Sequence, residues 1–253
     1  MEVVKKYRLT TDTAKTREEK LEELFKAKTQ ELDQFAQIVA HDLKTPLSGI
    51  VAMAELFRLE YTEQLDDQAN EWITMILDRT HNLAEMINSI YDYSKAGNEG
   101  NTIVTFSLED LIADLVNSLS FPNALTLETP KHFPVITGRY EQLKQVLYYL
   151  LDNAIKFHDK TSGIIDLSIR EEGDFLTISV SDNGPGITPQ YHDLIFGVFK
   201  VANEEQPKDG SGVGLTIAKK IVDFNGGQIG LKSEYGEGSE FWFTWPILAT
   251  ELA

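Results

Sequence analysis

The chain has 253 residues with 42% hydrophobic content, enough for one or two buried cores, and its 40 acidic against 23 basic residues leave a formal charge of −17. That charge argues against a nucleic-acid-binding surface, and it requires any anionic ligand to be held by local dipoles, lysines or a metal. With no cysteine, disulfides, thiol catalysis and thiolate metal sites are excluded.

The first dozen residues, MEVVKKYRLTTD, read as a frayed end or as the remnant of something upstream. From about residue 15 to 28 the sequence is charged and helix-forming, with Leu21, Leu24 and Phe25 as its few apolar positions. No Gly or Pro separates this run from FAQIVAHDLKTPL at 35–47, so one long helix to about residue 60 is expected, its first 30 residues serving as a helical linker or coiled coil. Leu32, Phe35, Val39, Pro46, Ile50, Met53 and Phe57 recur at steps that mark the seam of a bundle. His41 is off that stripe. It lies with Gln34, Gln37, Thr45 and Ser48 on a neighbouring face, one turn from Thr45 and beside Asp42, and Pro46 just beyond should bend the helix.

After a polar turn at 61–67, Ala69, Trp72, Ile73, Ile76, Leu83, Ile87 and Ile90 form a second amphipathic helix that stops at Gly97-Asn98-Glu99-Gly100. The two helices make a hairpin over 31–98 that cannot cover both apolar stripes alone. Pairing with a second copy as a four-helix bundle, a homodimer, solves that. From residue 102 to 248, β-type runs at 103–106, 164–170, 175–181, 228–233 and 241–246 alternate with helical patterns at 108–119, 139–157 and 214–224. Glu172-Gly173-Asp174 and Tyr235-Gly236-Glu237-Gly238 suit hairpin turns. The expected class is α+β, an antiparallel or mixed sheet layered with helices.

Three segments of that second part carry unusual local chemistry: Asp152-Asn153 with Lys156, Asp182-Asn183-Gly184-Pro185-Gly186, and Gly210-Ser211-Gly212-Val213-Gly214 opening a helix. Each could be only a turn or a helix entry. Their shared property is backbone that lets a ligand approach closely, with a helix N-terminus for phosphates and an Asn oxygen suited to Mg²⁺.

Taken in order, HDLKTPL, LLDNAIKF, DNGPGI, IFGVF, GSGVGL and GEGSEFWF resemble the boxes of a sensor histidine kinase of the two-component systems. The resemblance implies a dimerisation and phosphoacceptor hairpin followed by an ATP-binding domain of the Bergerat type. It implies His41 as phosphoacceptor, Asp42 as the acidic neighbour taking its proton and Thr45 as the residue used in dephosphorylation. It further implies ATP and Mg²⁺ as cofactors, with Asn153 the metal ligand, Lys156 a phosphate contact and Asp182 the adenine-amine acceptor. Gly184, Gly186, Gly210, Gly212 and Gly214 become the nucleotide loops, and 188–209 a lid anchored by Phe196 and Phe199.

Two positions depart from the pattern. Tyr149 stands where many members have a second Asn, and Gly197 where an acidic residue is common, with Lys200 as the basic residue of that box. The implied activity is autophosphorylation of His41 and relay to an aspartate of a response-regulator receiver domain supplied in trans, together with phosphatase activity. Two other readings stay open: a weakly active or non-catalytic nucleotide-binding scaffold, motivated by Tyr149, and an ATP-driven clamp of the gyrase sort. No apolar run approaches a membrane span, so the expectation is a cytoplasmic chain, attached to membrane only through a region upstream of it.

Overall fold

The computed structural model describes residues 2–62, 64–97, 102–119, 121–122, 124–197 and 212–248. The unbroken helix-forming stretch gives α1, Glu2–Glu60, which passes the expected linker boundary at residue 30 without interruption and carries Pro46 inside it. A turn follows, and Asp66 starts α2 (Asp67–Lys95) as its N-cap, the carboxylate accepting from the Ala69 N–H at 2.8 Å. The two helices pack along each other as a hairpin. Among the described residues, those of the hairpin that are buried ahead of its junction with the sandwich are Ala40, Ile73, Thr80 and Ile87. Phe35, Ile50, Met53 and Phe57 of the expected stripe stay exposed, as do Trp72, Ile76, Leu83 and Ile90. One hairpin thus leaves a long apolar surface uncovered, as the two-stripe reading of its sequence implies.

Beyond residue 101 the chain forms β1 (Ile103–Ser107), α3 (Leu108–Ser118), β2 (Leu125–Glu128), β3 (Val135–Arg139), α4 (Tyr140–Lys156), β4 (Gly163–Glu172), β5 (Phe175–Asp182), α5 (Gly214–Phe224), β6 (Ile229–Glu234) and β7 (Gly238–Pro246). The main sheet has the order β2-β4-β5-β7-β6, with β2 parallel to β4 and the other neighbours antiparallel. A small antiparallel pair, β1 with β3, is stitched on one face by the Thr105 and Thr137 hydroxyls at 2.8 Å. β2 and β3 are additions to the expected strands. Both expected hairpins form, with Gly173 and Gly236 at positive φ in their turns.

Alternation along the strands builds one continuous apolar face. Leu167 of β4 lies opposite Val180 of β5, which lies opposite Phe241 of β7, and Ile178 pairs with Phe243 and Leu176 with Trp245 in the same register. All seven are buried, and onto them pack Leu111 and Leu115 of α3, Val146, Leu147 and Leu150 of α4, and Ile217 and Ile221 of α5. The result is a two-layer α/β sandwich.

The hairpin docks on this sandwich through the end of α2. Ala96 is buried within the sandwich core, and Gly97, at φ 87, lies so close to the Phe224 ring that a Cβ there would meet it at 2.9 Å. Lys220 of α5 donates to the carbonyls of Tyr93 (2.6 Å) and Ser94 (3.1 Å), at the negative end of the α2 dipole, and its ammonium lies 4.5 Å from the Tyr93 ring centroid. Burial lowers the Lys220 pKa, and Asp33 of α1 works in the other direction.

The first glycine box closes onto the β6–β7 hairpin. Gly186 has φ 68, and a Cβ there would sit 2.0 Å from the Glu234 carbonyl oxygen, whereas Gly236, at φ 91, has nothing within 4 Å. Gly186→Ala should therefore cost on the order of 2–4 kcal/mol, and Gly236→Ala only about 1 kcal/mol from its backbone angle. Thermal unfolding of the two variants checks this; equal losses would mean that the close approach carries no weight.

Candidate functional site

On α1, His41 projects into solvent with its side chain 81% exposed, and its Nδ1 lies 3.2 Å from the Asp42 carboxylate, itself 72% exposed. The Nε2 atom is left open. Thr45, one turn on, is exposed, and its hydroxyl lies 3.5 Å from the His41 carbonyl, to which it donates. That is a weak bond at the limit of useful length, so the hydroxyl is readily released to another partner.

The other expected residues gather around the ends of three elements of the sandwich. On α4, Asn153 is half-buried, and among the described residues its amide makes no hydrogen bond, which leaves the oxygen for an external ligand. Lys156, one turn below Asp152, places Nζ 2.9 Å from its carboxylate. Burial opposes the Lys156 charge, but the hydrogen bond and charge of Asp152, with Glu85 of α2 adding to them, outweigh it and raise the pKa. Asp152 takes one of the three N–H donors of the ammonium, which leaves others for a phosphate oxygen.

At the end of β5, Asp182 turns one carboxylate oxygen back to the Gly184 N–H at 2.8 Å. Burial pushes its carboxyl above the usual range, against the N–H groups of Gly184 and Ser239 and the nearby His158 and Lys160. A Cβ on Gly184 would stand 2.7 Å from that oxygen, so glycine keeps the turn closed around the acid. Gly186 makes its close approach to the β6–β7 backbone.

Gly212, at φ 65, leads into α5, and Gly214 is its first residue. The N-cap side chain, Val213, makes no capping hydrogen bond, and a helix start of this kind offers N–H groups and a positive dipole end to an anion. Oxygen at Asn153, an acid at Asp182 and an uncapped helix end fit a nucleotide with Mg²⁺, although no cluster of three or more His, Cys, Asp or Glu groups occurs among the described residues. Lys200, Gly210 and Phe199 lie outside the described residues. Phe196 packs edge-on to Phe241 at 6.5 Å, in keeping with a role as lid anchor.

Tyr149 has a packing role. Its ring lies against the start of α5, where a Cβ on Gly214 would meet Cδ1 at 2.9 Å, so the tyrosine and the absence of a side chain at 214 are complementary. Residues that sequence reasoning did not single out are His158 and Asn183, bonded to each other at 3.0 Å beside Asp182, and Lys220 at the docking surface. Their partners are far away in sequence, and only the sheet register and helix docking bring them together.

The comparisons with known proteins agree with this arrangement. Residues 31–99 match the His Kinase A (phospho-acceptor) domain, and residues 138–249 match the Histidine kinase-, DNA gyrase B-, and HSP90-like ATPase family. Cyanobacterial phytochrome A of Nostoc sp. is 33% identical over 221 residues, covering 86% of this chain and 29% of that protein. The circadian input-output histidine kinase CikA of Synechococcus elongatus is 30% identical over 219 residues, 82% of this chain and 29% of the relative. The chain therefore spans under a third of the length of these relatives. The crystal structure of full-length ShkA in complex with AMPPNP superposes with a TM-score of 0.63 at 25% identity, covering 86% of this chain and 46% of that one. The Acinetobacter baumannii histidine kinase AdeS shares the fold, with a TM-score of 0.57 at 18% identity over 83% of this chain and 98% of that one. No helix among the described residues is long and apolar enough to cross a membrane.

Burial, with Asp92 of α2 adding, pushes the Tyr149 phenol up to about 12, against a hydrogen bond from Gln145. The unfolded chain gives up this proton near the ordinary value of 10.0 and the folded chain keeps it. The stabilisation is thus complete below pH 10 and is lost as pH rises to about 12. Tyr149→Phe should flatten the fall in stability across that window, read by urea unfolding at several pH values. An unchanged slope would show that the phenol is not held in its neutral form.

Proposed function

Because the chain is the catalytic core of a histidine kinase, a phospho-acceptor domain followed by an ATP-binding domain, we propose that it phosphorylates itself on Nε2 of His41 and passes the group to an aspartate on a separate response regulator. The observation that carries this reading is the division of the imidazole: Nδ1 faces Asp42 at 3.2 Å, and Nε2 stands open in solvent.

The Nδ1–H of His41 donates a hydrogen bond to the Asp42 carboxylate, which fixes the tautomer whose lone pair is on Nε2. That nitrogen forms the N–P bond as the bond from the γ-phosphorus to its bridging oxygen breaks, and the ADP oxygen leaves with the electron pair. The positive charge that develops on the ring is met by the Asp42 carboxylate, which favours loss of the surplus proton. Asp182 accepts from the adenine amine, the uncapped start of α5 holds phosphate charge, and Lys156 donates to a phosphate oxygen. Bound Mg²⁺ supplies charge neutralisation on the phosphates, with the Asn153 oxygen as its protein ligand. The exposed apolar surface of the hairpin supports a homodimer, in which two hairpins cover each other as a four-helix bundle.

Thr45 supports phosphatase activity on the regulator. Its hydroxyl lies one turn from His41 on the same exposed face, and its bond to the His41 carbonyl is weak enough to yield to a water.

Incubation with γ-labelled ATP tests the kinase reading. His41→Gln should remove all acid-labile label while nucleotide binding persists; label on another residue would overturn the assignment. With the cognate regulator, Thr45→Val should keep His41 phosphorylation and slow loss of regulator phosphate by about tenfold or more. An unchanged rate would remove Thr45 from the phosphatase step.

A further inference from the structure

The imidazole of His158 lies just past the end of α4, and both of its nitrogens are engaged. Nδ1 is 3.1 Å from the Lys160 N–H, which donates to it, so the ring proton resides on Nε2. Nε2 is 3.0 Å from Oδ1 of Asn183 and donates to it. The same Asn183 oxygen accepts from the Ile164 N–H at 2.9 Å, while the Asn183 N–H donates to the Ile164 carbonyl at 3.2 Å. Asn183 thereby extends the β4–β5 ladder one residue past Asp182, with a side chain standing in for one backbone group. Without His158 that oxygen keeps a single partner, and the turn from Asp182 to Gly184 loses its link to α4.

The ring is fixed by packing as well. A Cβ on Gly163 would stand 2.2 Å from Nε2 and 2.3 Å from Leu125 Cδ2, so the imidazole occupies the space that any side chain at 163 would need. One neutral ring therefore joins the helix end that presents Asn153 and Lys156 to the turn that presents Asp182 and Gly184.

We infer that His158 is a positioning residue for the nucleotide, holding the α4 side and the β5 side of the site at a fixed separation. The inference rests on the nucleotide reading above. Its effect is on the ground-state complex, because His158 bonds to Asn183 and Lys160 and to no reacting group.

The test measures autophosphorylation kinetics and binding of a fluorescent ATP analogue with Mg²⁺ by the full chain. In His158→Ala, KM for ATP and the analogue Kd should rise about tenfold, the size expected for one lost hydrogen bond that leaves its acceptor underused, with the loss falling on KM rather than kcat. His158→Gln, whose amide N–H can reach Asn183 Oδ1, should recover most of the affinity. Gly163→Ala, which displaces the ring without removing it, should resemble His158→Ala. An unchanged KM in His158→Ala, or a loss that His158→Gln does not restore, would overturn the inference. A wild-type chain that binds no nucleotide would instead overturn the functional reading. The imidazole nitrogen shifts separate these cases without nucleotide: protonated Nε2 with an accepting Nδ1 is expected, and the opposite tautomer contradicts the tie itself.

Discussion

The contact between Asp42 and Nδ1 of His41 divides one imidazole into a held nitrogen and a free one, and the other parts of the molecule have meaning in relation to the free one. Because the two residues are adjacent on a helix, the pairing needs no tertiary support and survives on a fully solvated face. In the proposed reaction that suits a group which receives a phosphoryl from one large domain and presents it to a separate protein. A buried histidine would be better held but closed to both. Exposure has its own consequence: in the proposed reaction the groups that meet phosphate charge stand on the sandwich. In a molecule of net charge −17, those proposed groups are local, the N-terminus of α5, Lys156 and the oxygen of Asn153.

The sandwich brings those groups together by close backbone approach rather than by a dense polar network. Gly184 keeps the turn shut around Asp182, Gly186 and Gly238 let the end of β5 meet the β6–β7 hairpin, and Gly214 leaves room for the Tyr149 ring. At each of these positions a single methyl group would collide with backbone, a carboxylate or an aromatic ring. The sandwich is in turn joined to the hairpin at a small patch where Lys220 binds the last carbonyls of α2, Ala96 enters the core and Gly97 lies against Phe224. A junction of that size can hold one orientation of the domains without a large free energy opposing its release.

Much of this was legible in the sequence where the signal is local. The two long helices follow from periodicity, from the polar turn at 61–67 that separates them and from the cluster that begins at Gly97. The hairpin strands follow from alternation and from glycine turns. β2 and β3 were not legible. β2 has four residues and gains its place only by parallel pairing with β4, and β3 carries Gly138 next to its last residue and runs into α4 without a turn. The site divides the same way. His41, Asp42, Asn153 and Asp182 stand in compact motifs, whereas His158 reads as an ordinary polar residue after a helix until the β4–β5 register brings Asn183 to it. Tyr149 reads in the sequence as a missing metal ligand. In the structure it fills the space that Gly214 leaves open.

The central claim is that Asp42 holds Nδ1 and that chemistry occurs at Nε2. Phosphorus and nitrogen NMR on the chain after incubation with ATP and Mg²⁺ reads this directly, since the phosphorus couples to whichever ring nitrogen carries it. The account predicts a single phosphohistidine at His41 with phosphorus on Nε2 and none on Nδ1. Phosphorus on Nδ1, the nitrogen facing Asp42, would contradict it.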